Sequence, residues 1–143
     1  MCMSTSSSMS MSFGPEPPIT LTACGESFTN QKVVLTKDLD CGSLDEIFSQ
    51  LCAVTLDGPF AELDCNDFKL SQVTSEPDYT DGPYTNGICL YNGAKGRNCI
   101  VQKFFAGIYV TDGGEVSNSD LSPNNDGMYA YFNVDSTLTI ENT

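Results

Sequence analysis

A 20-residue period in residues 87–143 constrains this chain more than any other feature. Gly87-Ile88-Cys89-Leu90 returns as Gly107-Ile108-Tyr109-Val110 and again as Gly127-Met128-Tyr129-Ala130. A second mark keeps the step: Asn98-Cys99 returns as Asn118-Ser119, then as Asn142-Thr143 after a slightly longer interval. Fixed periods of about 20–50 residues belong to stacked repeats, in which each unit buries its apolar face against the next. A leucine-rich repeat does not fit, because residues 107–125 hold a single leucine, Leu121. The units instead carry short β-prone runs, Ile108-Tyr109-Val110, Tyr129-Ala130-Tyr131-Phe132 and Leu138-Thr139-Ile140, separated by Gly, Asn, Asp or Ser. Such runs favour strands and such separators favour turns. Twenty extended residues at ~3.3 Å each give a perimeter of roughly 60 Å, enough for two or three short strands per coil. The expectation is an all-β chain of about five short coils in parallel register. Ile88, Ile108 and Met128 then form one inward column, and Asn98, Asn118 and Asn142 form a ladder of stacked amides at a turn.

The remaining chain reads as earlier coils behind a leader. Residues 1–18 are Ser- and Met-rich, then Pro-rich, with neither the positive start nor the apolar core of a signal peptide. They read as a disordered tether before a domain over residues 19–143. Strands are expected over residues 19–24 and 32–41, at Val54-Thr55-Leu56, along Ala61, Leu63 and Cys65, and at Phe68 and Leu70. Residues 71–86 read as a long surface loop. Residues 43–51 are the one helical candidate: Ser43 and Glu46 have capping-box spacing, and Leu44, Ile47, Phe48 and Leu51 share a face. That helix would either cap an end of the stack or project as a loop between coils. The chain stops in mid-repeat at Thr143, which leaves an uncapped edge and points to a fragment or to assembly with further copies.

Six cysteines, Cys24, Cys41, Cys52, Cys65, Cys89 and Cys99, lie in the domain, and a seventh, Cys2, lies in the leader. Without His or a C-x-x-C pair, zinc is a poor explanation for the even set. Disulfides and an oxidising compartment are the better one, and six cysteines allow 15 connectivities. Cys65–Cys99 and Cys41–Cys52 are the expected pairs between adjacent coils. A compartment of that kind implies secretion, with any signal upstream of the sequence given.

The chain carries 19 acidic and 6 basic residues, a net charge of −13. That surface argues against nucleic acid and against anionic membranes. No run approaches the ~18 apolar residues of a membrane span. With no histidine, Ser-His and Cys-His catalysis are excluded. Phosphate-loop, dinucleotide and EF-hand patterns are missing too, so no cofactor is expected. Asp112, Asp120 and Asp126 remain as candidate contacts to a glycan or a cation, although Asp112-Gly113-Gly114 and Asn124-Asn125-Asp126-Gly127 also read as plain turns.

Leu63-Asp64-Cys65-Asn66, the run from Asn98-Cys99-Ile100 to Phe104, and the thrice-repeated Gly-hydrophobic-Tyr/Cys resemble the pectin-lyase-like, right-handed parallel β-helix superfamily. Within it the chain is most similar to small secreted, cysteine-containing β-helical proteins of diatoms, in which a Ser-rich leader precedes a first Cys-Gly, here Cys24-Gly25. The resemblance implies a right-handed parallel solenoid across residues 19–143. Superfamily enzymes act on polysaccharides, through calcium-holding acids with an Arg or Lys base or through clustered Asp residues. They are about twice as long, and no residue here falls in a motif matched to theirs. The resemblance therefore leaves two functional expectations. The first is a secreted structural or binding module of a surface, matrix or filament, which partners copies of itself or neighbouring β-helical segments. The second is a piece of a polysaccharide lyase or glycoside hydrolase, marked by acids and a basic partner in one cleft.

Overall fold

The computed structural model describes residues 17–42, 50–73, 84–112, 114–124, 126–131 and 138–143. Those residues form 14 strands and no helix. The strands make three sheets, and every pairing is parallel. The first contains β1 (Ile19–Thr20), β3 (Lys32–Val34), β6 (Glu62–Asp64), β9 (Lys95–Arg97), β12 (Gly114–Ser117) and β14 (Leu138–Glu141), side by side in that order. The second contains β4 (Leu39–Asp40), β7 (Lys69–Ser71) and β10 (Ile100–Gln102). The third contains β2 (Glu26–Thr29), β5 (Gln50–Asp57), β8 (Tyr84–Tyr91), β11 (Ala106–Thr111) and β13 (Asp126–Tyr131). From β2 to β10 the chain visits the third, first and second sheets in strict rotation, and each new strand is laid on its predecessor of the previous round.

This rotation brings matching residues of the period into contact. Val54, Ile88, Ile108 and Met128 pair in register down the third sheet, as do Phe28, Leu56, Leu90, Val110 and Ala130. Val33, Leu63, Gly96, Val116 and Ile140 do so in the first sheet. Leu39, Leu70 and Val101 form the matching column of the second. Leu56, Leu63, Leu70, Ile88, Leu90, Val101 and Ile108 are fully buried. Burial fades at the last round, where Met128, Ala130 and Leu138 are only partly covered and Ile140 is exposed.

Two columns of left-handed residues turn the corners. Asn30, Gly58, Asn92 and Asp112 follow the strands of the third sheet with φ of 50°, 104°, 56° and 66°. Asn98, Asn118 and Asn142 follow those of the first, with φ of 56°, 51° and 52°. Asn, Asp and Gly are the residues that enter this region at least strain, which accounts for the asparagine of the repeat. At the second corner Asn142 Nδ2 donates to Asn118 Oδ1 (3.0 Å), while Asn98 Nδ2 donates to Asp64 Oδ1 (3.0 Å). The ladder position below Asn98 is held by Cys65, so Asn98 turns to the nearby carboxylate.

The repeat glycines mark a bend. A Cβ on Gly87 would lie 2.5 Å from Val101 Cγ1 and 2.7 Å from Gly107 O, so Gly87 faces the core. Its neighbour Ile88 is also buried in the core. Two consecutive inward positions break the alternation of the strand. Asn86 and Cys89 are thereby left outside, on either side of the bend.

Three disulfides tie the rounds together: Cys24–Cys41, Cys52–Cys89 and Cys65–Cys99. Cys65 and Cys99 are thus bonded as the sequence suggests. The expected Cys41–Cys52 pair is not formed. Cys41 is buried with the core, whereas Cys52 stands in register with Asn86 on the outer side of the bend, where Cys89 is its neighbour. The helical candidate over residues 43–51 meets a strand at its end, since Gln50 and Leu51 open β5. Residues 43–49, most of the leader and residues 74–83 of the proposed loop lie outside the described residues. Strand β2 had no sequence signal beyond Phe28, and of residues 19–24 only Ile19–Thr20 form a strand, with Leu21 N adding one bond to Val34 O.

Side-chain amides, one buried and one partly buried, bond backbone groups where the second sheet ends. Gln72, 1% exposed, donates from Nε2 to Tyr84 O (2.9 Å) and Lys103 O (3.0 Å), and its Oε1 accepts from Tyr84 N (2.9 Å). Asn124 acts similarly one round on, donating to Val101 O and Leu121 O while accepting from Phe104 N. Gln72→Leu keeps the bulk but removes three hydrogen bonds to backbone groups. Each such bond contributes ~0.5–1.5 kcal/mol net. Urea unfolding of the variant is expected to show a loss of about 2–4 kcal/mol; a loss below about 0.5 kcal/mol would remove this role.

Candidate functional site

The bend in the third sheet creates a groove on its outer side. One wall is the register column Cys52, Asn86, Ala106 and Asp126; the other is Thr55, Cys89, Tyr109 and Tyr129. The Cys52–Cys89 bond crosses between them and floors the lower end. Above it lies a cavity of about 450 Å³, into which Leu51, Thr85 and Phe105 also project. Ala106 is 2% and Asn86 3% exposed, and both line this cavity. Leu51 (58%) and Tyr129 (42%), two of the exposed large hydrophobic residues, converge on this one concavity.

Parallel register makes an aromatic wall. The Tyr109 and Tyr129 rings stack with centroids 5.9 Å apart and planes 8° apart, and Tyr91 meets Tyr109 edge-on at 6.2 Å. The Tyr91 hydroxyl lies 3.9 Å from Cys52 Sγ; the disulfide sulfur carries no proton, so the hydroxyl is the donor. Burial, then the neighbouring Tyr109 and Asp57, raise the Tyr91 pKa above 10.0. A raised phenol pKa contributes stability that is present below the unfolded value of about 10 and is lost as pH climbs through the folded one.

The first sheet presents a charged face. Lys32, Glu62, Lys95 and Glu115 stack in one column, so parallel register sets opposite charges over one another. Within that column Lys95 Nζ lies 3.9 Å from Glu115 Oε1, and from the column of Asp64 and Ser117 Arg97 Nε approaches Glu62 Oε2 (2.7 Å) and Asp64 Oδ2 (3.4 Å). Glu62, Lys95, Arg97, Glu115 and Glu141 border a depression of about 290 Å³. Half-exposed pairs of this kind contribute about 0–1 kcal/mol each.

The three aspartates singled out in the sequence stand apart. Asp112 is a corner residue of the first left-handed column. Asp120 follows the second corner, and its Oδ1 accepts from Ser122 N. Asp126 opens β13 and lines the groove. Asp112 and Asp126 sit at opposite ends of their paired strands, about 20 Å apart along the strand axis. No group of three or more acidic or cysteine ligands is placed to hold a metal ion among the described residues. Nor does any helix among them have the length and apolarity to cross a membrane. The tyrosine wall and Asn86 were not singled out from sequence, although the third place of the repeat, Cys89, Tyr109, Tyr129, carried the signal.

Compared with protein-family models, with curated proteins and with solved structures, the chain has no match in any of the three.

Proposed function

We propose that this chain is a right-handed parallel β-helix serving as an extracellular structural and binding module, with the tyrosine-walled groove as its working surface. The three disulfides carry this reading. Disulfides persist in oxidising compartments, and here Cys52–Cys89 and Cys65–Cys99 each join one round to the next. The rotation of the chain through three parallel sheets supports the solenoid, and the groove supplies a concave face of ligand size. Strands β13 and β14 end their sheets with one edge unpaired among the described residues, which supports assembly with a further β-helical segment or copy. A second reading, part of a polysaccharide lyase or hydrolase, draws on Glu62, Glu115 and Glu141 beside Lys95 and Arg97 in one depression. It is the weaker, because Arg97 already engages Glu62 and Asp64.

Fractionation of the native cells tests the first reading, with free thiols alkylated before peptide mapping. The expected result is protein outside the cell carrying 24–41, 52–89 and 65–99 linkages. A cytosolic pool with all six thiols alkylated would overturn it.

A further inference from the structure

We infer that the groove of the third sheet is a binding site for a small linear aliphatic diamine. The inference rests on the groove being the working surface of the module and names what it takes. Asp126 is the one ionisable carboxylate in the lining, and no cation stands beside it. Its carboxylate has no hydrogen-bond or ion-pair partner among the described residues, whereas Asp57, Asp64 and Asp120 each accept at least one hydrogen bond. Asn86, 3% exposed, faces the same cavity, and its side-chain amide makes no hydrogen bond with a described residue. Two acceptors without a protein partner among the described residues open on one concavity, one of them charged, and favour a ligand that donates and is positive. An anion would meet Asp126 and a net charge of −13.

The rest of the lining selects an organic cation over a hydrated metal ion. Tyr109 and Tyr129 form a π-rich wall beside Asp126, and an ammonium near such rings gains cation–π attraction. Asn86 and Asp126 lie in one register column with Ala106 between them, two rungs or about 10 Å apart. An aliphatic stem laid over Ala106, flanked by Leu51 and Phe105, carries an ammonium to each end. One meets the Asp126 carboxylate and the Tyr129 ring; the other donates to Asn86 Oδ1.

Calorimetric titration of the oxidised chain with 1,5-diaminopentane, at fixed physiological ionic strength, tests this. Saturable one-to-one binding is expected, with Tyr109 and Tyr129 ring signals shifting in a parallel magnetic-resonance titration. Asp126→Asn and Tyr129→Leu should each weaken it by about tenfold. Glu141→Gln removes an equal charge on the first sheet and should leave it unchanged. Equal weakening by Glu141→Gln would mean that net charge alone attracts the amine, and would overturn the site. So would tight binding of a neutral oligosaccharide by a chain indifferent to the diamine. Circular dichroism and thiol counts on each variant show whether the disulfide-linked fold persists. A folded, oxidised wild-type chain that fails to bind refutes the diamine site and leaves the module reading standing.

Discussion

Reduction of all three disulfides is expected to unfold this chain at room temperature. Closing loops of the observed separations, 17, 37 and 34 residues, restricts the unfolded ensemble by about 3, 4 and 4 kcal/mol. The segments 52–89 and 65–99 interleave, so the three contributions do not simply add. Even so, their joint loss approaches the whole stability of an ordinary domain, about 5–15 kcal/mol. A geometric reason strengthens the expectation. Cys65 and Cys99 are both buried at the second corner, and the column of Cys99 continues upward as Ser119 and Thr143. There the Ser119 hydroxyl bonds Cys99 N, and the Thr143 hydroxyl accepts from Ser119 N. Lower down, no hydroxyl takes that part and the covalent bond holds the rounds. Circular dichroism during titration with a phosphine reductant checks the point: β signal should collapse cooperatively. A fully reduced chain with unchanged spectrum and melting temperature would show that packing alone suffices.

Substitutions at the three repeat glycines should diverge, although the sequence presents them identically. At Gly87 an added Cβ meets Val101 Cγ1 at 2.5 Å and Gly107 O at 2.7 Å, and the latter is backbone of the neighbouring strand β11. Neither can yield without loosening the core, so Gly87→Ala is expected to lose about 1–3 kcal/mol, with Gly87→Val beyond that range. Gly107→Ala falls in the same class, with Asn124 Nδ2 and Gly127 O both at 2.8 Å. At Gly127 the nearest atoms of the described residues are 3.6 and 3.9 Å away, ordinary contact distances, and among those residues that round is the last in its sheet. Gly127→Ala should be neutral or gain about 0.4–1 kcal/mol through the stiffer unfolded chain. Thermal melts separate the cases, with a fall of roughly 5–10 °C for Gly87→Ala and no fall for Gly127→Ala. Equal effects at the two sites would contradict the bend.

The legible parts of the sequence are those where one residue meets its own repeat. Ile88, Ile108 and Met128 share a column because the period brings them to the same place on successive rounds. The corner asparagines were visible because left-handed backbone admits few residue types. Cys65–Cys99 was within reach because both lie at one corner. What escaped depends on departures from strict alternation. Period-two reasoning puts residues 86 and 89 on opposite faces of a strand. The inward pair Gly87 and Ile88 sets them on the same side, and with them the Cys52–Cys89 bond and the whole groove. Cys24–Cys41 escaped for a related reason: it closes the first round on itself, across β2, β3 and β4, and no repeat of that round exists to compare. Gln72 and Asn124 gave no signal either, since their partners are backbone groups of irregular segments. Asp112, Asp120 and Asp126 were grouped by residue type, and the fold sends them to three different places.

The central claim is that strands 20 residues apart lie beside one another, parallel and in register. Interstrand backbone cross-peaks in nuclear Overhauser spectra of the oxidised protein test it most directly. The strand carrying Ile108 should show amide-to-Hα contacts to the Ile88 strand on one side and to the Met128 strand on the other, in the spacing of parallel ladders. Close Hα–Hα contacts of antiparallel pairs at Ile108, or contacts to neither strand, would contradict it.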